Sequence, residues 1–306
     1  MKTPRHYLGS LQLAGDGQHF SEYDAQVTEG ILGEAAHLLR AIGFGSHHTI
    51  LIGGMVPGLL VLDPPDSSRP HVGTTDLDFC LSIALVEGDT AEYERIETAL
   101  KAAGYEPEGS TFCWRRATGL RPKVEFFCPA ADDRPVGSLF RPKAADNPTA
   151  KQNMGPKLSA IALQAGSAIS ADVAEVTRDV QLPDGQGEVQ QTFRISGIVG
   201  FLAAKVAALT GRDKPKDAYD IVWLLEAWEG GPPGAAATVK ASSAYERGDV
   251  QAALESLALE FSEVGRVGPQ SYVRFMATDA DDANARAGLA LRARGAVGEF
   301  LTALRG

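Results

Sequence analysis

Residues 74–81 read Thr-Thr-Asp-Leu-Asp-Phe-Cys-Leu (TTDLDFCL). Polar and apolar residues alternate from Asp76 to Phe79, the signature of a strand with one buried face. Alternate side chains on a strand share a face, so Asp76 and Asp78 point together while Leu77 and Phe79 enter the core. Two carboxylates so close repel each other, and burying them is costly. A bound Mg2+ removes that objection, because it takes one or two carboxylates together with substrate phosphates. An isolated Asp-x-Asp triplet is most often a surface feature, so the surrounding sequence decides.

Upstream, residues 48–53 (HTILIG) read as a short buried strand, followed at once by Gly53-Gly54 and then MVPGLLVL. Glycine lets backbone N–H groups approach a phosphate closely. Residues 21–42 carry apolar positions at helical spacing, with Ser21 as the expected cap and Asp24 three residues on. Residues 63–73 (DPPDSSRPHVG) form a turn-rich loop. Downstream, residues 90–103 predict a helix, with Thr90 as a cap candidate and Gly104 at its end. Two strand-like runs in 111–128 flank a turn at Gly119 and Pro122. Glu125 stands mid-strand among apolar neighbours and needs a partner. It either joins Asp76 and Asp78 around one or two metal ions or pairs with Arg115, Arg116 or Lys123.

Residues 129–157 read as a loop or flap, and 158–193 as extended chain with a hairpin around Asp184-Gly185. From Ser196 the pattern is helical, with a breaker at 230–237 and two or three further helices. Strands alternating with helices up to about residue 195, then helices alone, indicate an α+β fold followed by a C-terminal helical bundle. The expected division is 1–195 and 196–306.

A second polar cluster falls in the helical part. Lys205 interrupts an apolar helix, where a lysine can also simply snorkel to the surface. Arg212, Lys214 and Lys216 follow in a turn, and Asp217 and Asp220 stand three apart on one face of the next helix. These groups can form a structural ion network, or clamp a triphosphate and orient an attacking hydroxyl.

The chain has 306 residues, of which 44% are apolar and 22% charged, ordinary values for a globular protein. Three cysteines, none in a Cys-x-x-Cys pair, exclude a zinc ribbon and a disulfide framework and fit a cytoplasmic protein. No stretch has the length and apolarity of a membrane span. The net charge of −10 argues against wholesale coating of nucleic acid. Residues 101–157 are the local exception, with ten basic against six acidic side chains. Arg115, Arg116, Arg121, Arg141, Lys143 and Lys151 are the basic residues available there to an RNA acceptor.

The runs LIGGMVPGLLV and VGTTDLDFCL resemble the Gly-Gly and Asp-x-Asp signatures of the nucleotidyltransferase fold. KVAALTGRDKPKDAYDIVWLL resembles the Lys…Arg…Asp-x-x-Asp helix pair of the AbiEii/AbiGii toxin family, with Lys216 where an arginine is common. The resemblance covers roughly residues 48–226. It implies a mixed sheet with flanking helices, and a helical part that contributes Lys205 and Asp217 to the site. Gly53, Gly54, Thr75, Lys205 and Arg212 would bind a nucleoside triphosphate. Asp76, Asp78 and Glu125 would hold Mg2+, and Asp76, Asp78, Lys205 and Asp217 would serve the chemistry, with Asp220 in support. The implied activity is nucleotide transfer to an acceptor, RNA such as tRNA first, by the toxin of a toxin–antitoxin or phage-defence pair, with an antitoxin protein as partner. A small-molecule or protein acceptor, or a nucleotide-binding module without catalysis, are the alternatives.

Overall fold

The computed structural model describes residues 17–43, 48–65, 69–81, 90–141 and 158–306. Among them, nine strands form one mixed sheet: β1 (Thr49–Ile52), β2 (Asp76–Leu81), β3 (Tyr105–Glu108), β4 (Ser110–Arg116), β5 (Lys123–Pro129), β6 (Leu139–Phe140), β7 (Ala160–Leu163), β8 (Val173–Gln181) and β9 (Glu188–Ser196). The main path runs β3-β4-β5-β2-β1-β9-β8. β2 lies antiparallel to β1 and parallel to β5. β4 pairs with the first half of β5, and β7 pairs with its second half.

The alternation of β2 sorts its two faces. Leu77, Phe79 and Leu81 join a buried cluster with Ile31, Leu38, Ile96 and Leu100, which come from α1 (Ala25–Ile42) and α3 (Thr90–Ala102). Cys80 joins the opposite cluster, built with Ile50 and Ile52 against α5 (Ile198–Gly211) and α6 (Lys216–Ala227). Full burial of an aromatic such as Phe79 contributes about 1.5–3 kcal/mol relative to exposure. Asp76 and Asp78 share the Cys80 side of the strand, so they face the helical layer. That layer continues through α7 (Gly231–Ala241), α8 (Gly248–Glu260), α9 (Val267–Met276) and α10 (Ala283–Arg305). A mixed sheet with flanking helices and a C-terminal helical region is therefore present: the alternation of elements indicated the α+β order and the helical end, and the resemblance implied the mixed sheet.

α5 is apolar on every side, as a helix packed all round should be, and Lys205 is its one charged residue. The amides that open it are satisfied from outside, because Asp172 accepts from Val199 N (2.7 Å) and Gly200 N (3.1 Å).

Several local expectations are corrected. Asp24, not Ser21, caps α1, accepting from Gln26 N at 2.7 Å, while residues Phe20–Glu22 form a separate 3-10 turn. After β1 the chain does not continue extended: it turns through Gly53–Met55 into the short helix α2 (Val56–Leu60), opened by Pro57. A short helix, α4 (Gly166–Ala171), interrupts 158–193. Residues 230–237, read as a breaker, instead begin α7, whose first turn tolerates Pro232 and Pro233. The cap at Thr90 and residues 142–157 of the expected flap lie outside what is described, whereas 129–141 of that flap contributes β6. Among the described residues no helix is long and apolar enough to cross a membrane.

One buried ion pair ties α1 to the sheet. Arg116 Nη1 donates to Glu34 Oε1 at 2.7 Å, and Tyr105 Oη donates to Glu34 Oε2 at 3.2 Å. Removing one partner strands the other charge, a loss of about 3–5 kcal/mol. Arg116→Met should lower the unfolding free energy by about that amount in guanidinium titrations, and a change below 1 kcal/mol would contradict the assignment.

Candidate functional site

The strand register assembles the carboxylates. Asp78 is paired with Ile52 of β1 on one side and with Glu125 of β5 on the other, while Asp76 is paired with Lys123. Gly53 follows Ile52 directly and has a φ of +79°, a conformation that side chains other than glycine's resist. A Cβ there would lie 2.3 Å from Asp78 Oδ2, so the carboxylate packs into the space that this glycine leaves. Gly54 similarly lets Lys216 and Thr74 close in, since a Cβ on it would meet Lys216 Nζ at 2.8 Å. Thr74 touches that turn, and its hydroxyl accepts from Asp76 N at 3.3 Å. The neighbouring Thr75 is half-buried at the start of the strand.

Burial, then the charges of Glu125 and Asp76, push the Asp78 carboxyl up to about 7. Burial also raises Asp76, against the opposing pull of Lys214 and Lys123. Glu125 stands beside Asp78 but is held by Lys123 Nζ at 2.8 Å, one of the two alternatives open from sequence. Among the described residues no group of three or more His, Cys, Asp or Glu side chains is arranged to hold a metal ion. Asp76 and Asp78 provide a two-carboxylate set on one face, the donor chemistry that Mg2+ completes with phosphate and water oxygens. Positive charge there offsets the burial and repulsion that raise both groups.

Opposite this face lies the ion cluster of α5 and α6. Lys205 Nζ is 2.7 Å from Asp217 Oδ1 and 2.6 Å from Asp220 Oδ2. Arg212 forks onto Asp217, with Nε to Oδ2 at 2.9 Å and Nη2 to Oδ1 at 3.0 Å. Lys216 Nζ donates to Asp220 Oδ1 at 2.6 Å. Both aspartates are fully buried. Both oxygens of Asp217 are thus committed to cations, so its place in the cluster is to hold Lys205 and Arg212. Burial alone would lower Lys205, but the Asp217 and Asp220 carboxylates outweigh it and keep the amine protonated. Burial likewise opposes ionisation of Asp220, yet Lys205 and Lys216 hold its carboxyl well below the usual range. Lys216 itself is lowered to about 8, chiefly by burial.

Between the two groups opens a cavity of about 390 Å3, lined by Gly53, Asp78, Lys205 and Arg212 at its charged end. Phe127, Leu163, Phe201, Ala204 and Ala208 form its apolar wall. A second cavity, of about 190 Å3, is lined by Thr28, Met55, Leu59, His71, Arg178 and Trp223.

Four neighbours of the cluster carried no functional signal in the sequence. His71 lies in the loop 63–73 and donates to Asp220 Oδ1 through Nε2 at 2.9 Å. Tyr219 stacks on its ring at 5.2 Å between centroids, and Trp223 meets it edge-on at 4.8 Å. Tyr23 lies under Lys216, whose Nζ is 5.5 Å from the ring centroid. A lone histidine in a turn-rich loop gives no sequence signal. The Asp-x-x-Asp spacing required buried counter-charges, and of the candidates Lys205, Arg212, Lys214 and Lys216, three supply them: Lys205, Arg212 and Lys216.

The expected basic patch is divided. Arg116 is buried against Glu34 and also pairs with Asp184, while Arg115 binds Glu108 at 2.6 Å. Arg121 donates to Arg116 O at 3.4 Å, and Lys143 and Lys151 lie outside the described residues.

No family model matches the chain, and no curated protein does. Among solved structures it is similar to the crystal structure of JHP933 from Helicobacter pylori, at 13% identity and a TM-score of 0.31, with 92% of this chain and 95% of that chain covered. Similarity at that level says nothing of fold or chemistry.

Burial lowers the pKa of His71 from 6.5 to about 4. Between these values the unfolded chain binds more protons than the folded one, so stability falls as pH drops through that window, by on the order of 3 kcal/mol across it. Urea titrations at pH 7 and pH 4.5 should show this loss in the wild type and a smaller one in His71→Gln. Equal losses in both proteins would remove His71 as its source.

Proposed function

We propose that this chain is a magnesium-dependent nucleotidyltransferase that moves a nucleotide from a nucleoside triphosphate to an acceptor, in the manner of the AbiEii-like enzymes it resembles. The observation that carries the reading is the cavity itself. One end brings the Asp78 carboxylate and the Gly53 backbone together with Lys205 and Arg212, and the other is an apolar wall. An anionic tail with a flat, weakly polar body suits that combination, and a nucleoside triphosphate has both.

In this reading Asp76 and Asp78 hold Mg2+, which supplies charge neutralisation of the phosphates and lowers the barrier to deprotonating the acceptor. The Gly53 backbone lines the charged end of the cavity where phosphate would sit, while the space beside Gly53 and Gly54 lets Asp78 and Lys216 close in on it. Lys205 and Arg212, pinned by Asp217, present fixed positive charge where negative charge accumulates. The acceptor oxygen forms a bond to the α-phosphorus as the bond to the β-phosphate's bridging oxygen breaks. Pyrophosphate leaves with that electron pair, and the hydroxyl proton passes to solvent.

RNA is the acceptor to test first. The commitment of Arg116 to Glu34 favours an acceptor gripped by few cations, so a small molecule or a protein is the second choice. Incubation with Mg2+ and each α-labelled nucleoside triphosphate, with and without total RNA, should transfer label. Asp78→Asn should reduce transfer by roughly 100-fold or more. A fully active Asp78→Asn protein would sink the assignment, and label found only in small molecules or protein would replace RNA as acceptor.

A further inference from the structure

We infer that His71 is a positioning residue for the cavity, acting through Asp220 to hold Lys205 at the cavity wall and Lys216 beneath the Gly53-Gly54 turn. The assignment of a role in nucleotide binding rests on the reading proposed above; the mechanical role does not.

The hydrogen bonds of the ring define its state. Gly73 N donates to His71 Nδ1 at 2.9 Å, so that nitrogen is an acceptor and carries no proton. Nε2 therefore carries the ring's proton and donates it to Asp220 Oδ1 at 2.9 Å. The imidazole is neutral and fixed in one tautomer by contacts at both ends. Its plane is fixed as well, by the stacked Tyr219 and the edge of Trp223. Tyr219 is anchored in turn, its hydroxyl accepting from Val72 N at 3.3 Å, and Trp223 Nε1 donates to Arg69 O at 2.7 Å. Residues 69–73 are thus fastened to α6 along their length.

Asp220 distributes this constraint. Its Oδ1 receives both His71 Nε2 and Lys216 Nζ, and its Oδ2 meets Lys205 Nζ at 2.6 Å. Lys205 lines the large cavity, whereas Lys216 fills the space beside Gly54. A neutral donor on Oδ1 fixes the carboxylate's rotation without adding a third positive charge, and that rotation aims Oδ2 at Lys205. Without the histidine, Asp220 is free to turn toward Lys216, and Lys205 keeps Asp217 alone.

The test uses the full chain and the variants His71→Gln, whose amide can still donate to Asp220, and His71→Leu, which cannot. Trace acylation of amines in the folded protein, read at Lys205 by mass spectrometry, reports the lysine without requiring any activity. Lys205 should acylate several-fold faster in His71→Leu and within about twofold of wild type in His71→Gln. Calorimetry with Mg2+ and a nucleoside triphosphate should show about tenfold weaker binding in His71→Leu, the loss of a hydrogen bond to a charged group, and recovery in His71→Gln. Should His71→Leu fail to fold, nitrogen NMR of the wild-type ring decides, with the Nε2–H neutral tautomer expected at pH 7. Wild-type acylation of Lys205 in both variants, equal acceleration in both, or the Nδ1–H tautomer would each overturn the inference. If the wild type binds no nucleoside triphosphate, the proposed function fails, while the acylation rates still decide the role of His71.

Discussion

Asp220 is the buried charge on which the site's geometry depends. It is fully buried, yet His71, Lys205 and Lys216 converge on its two oxygens. Taking such charges out of water is expensive, and their mutual attraction offsets the cost only when every group is well placed. The network is therefore poor evidence of added stability. Its effect is positional: α5, α6 and the loop before β2 must all arrive in register for the carboxylate to be compensated. Deleting any one donor leaves charge uncovered at the centre of the molecule.

The sheet contributes the complementary constraint. Because side chains alternate on β2, the residues that send Leu77 and Phe79 into the α1 layer also present Asp76 and Asp78 to the helical layer. The parallel pairing with β5 sets Glu125 and Lys123 beside them. Gly53 leaves the room into which the Asp78 carboxylate fits. Carboxylates that burial drives toward protonation thus confront lysine and arginine that carboxylates keep charged, across one cavity. That polarity supports the nucleotidyltransferase reading, together with the motifs that resemble the family.

Much of this was legible in residues 48–81 and 198–220, where local pattern and tertiary role coincide. The alternation of TTDLDF fixes which side chains share a face, and the lone lysine of an apolar helix demands a partner that Asp217 and Asp220 provide. Legibility ended where long-range contacts decide. His71 is 149 residues from Asp220, and nothing local marks it. Arg116 looks like a surface cation in TFCWRRA, but its partner Glu34 comes from a helix 82 residues earlier. Proline and glycine misled at 230–237, where the same residues that break a helix interior open a helix's first turn.

Under the proposed function, the charged end of the large cavity binds a nucleoside triphosphate with Mg2+. Hydrogen-exchange mass spectrometry, with and without both, tests it most directly. Binding there should slow exchange in peptides covering 52–56 and 201–212. Unchanged exchange there, or protection confined to the smaller cavity's peptides around 28–32 and 58–62, would contradict it.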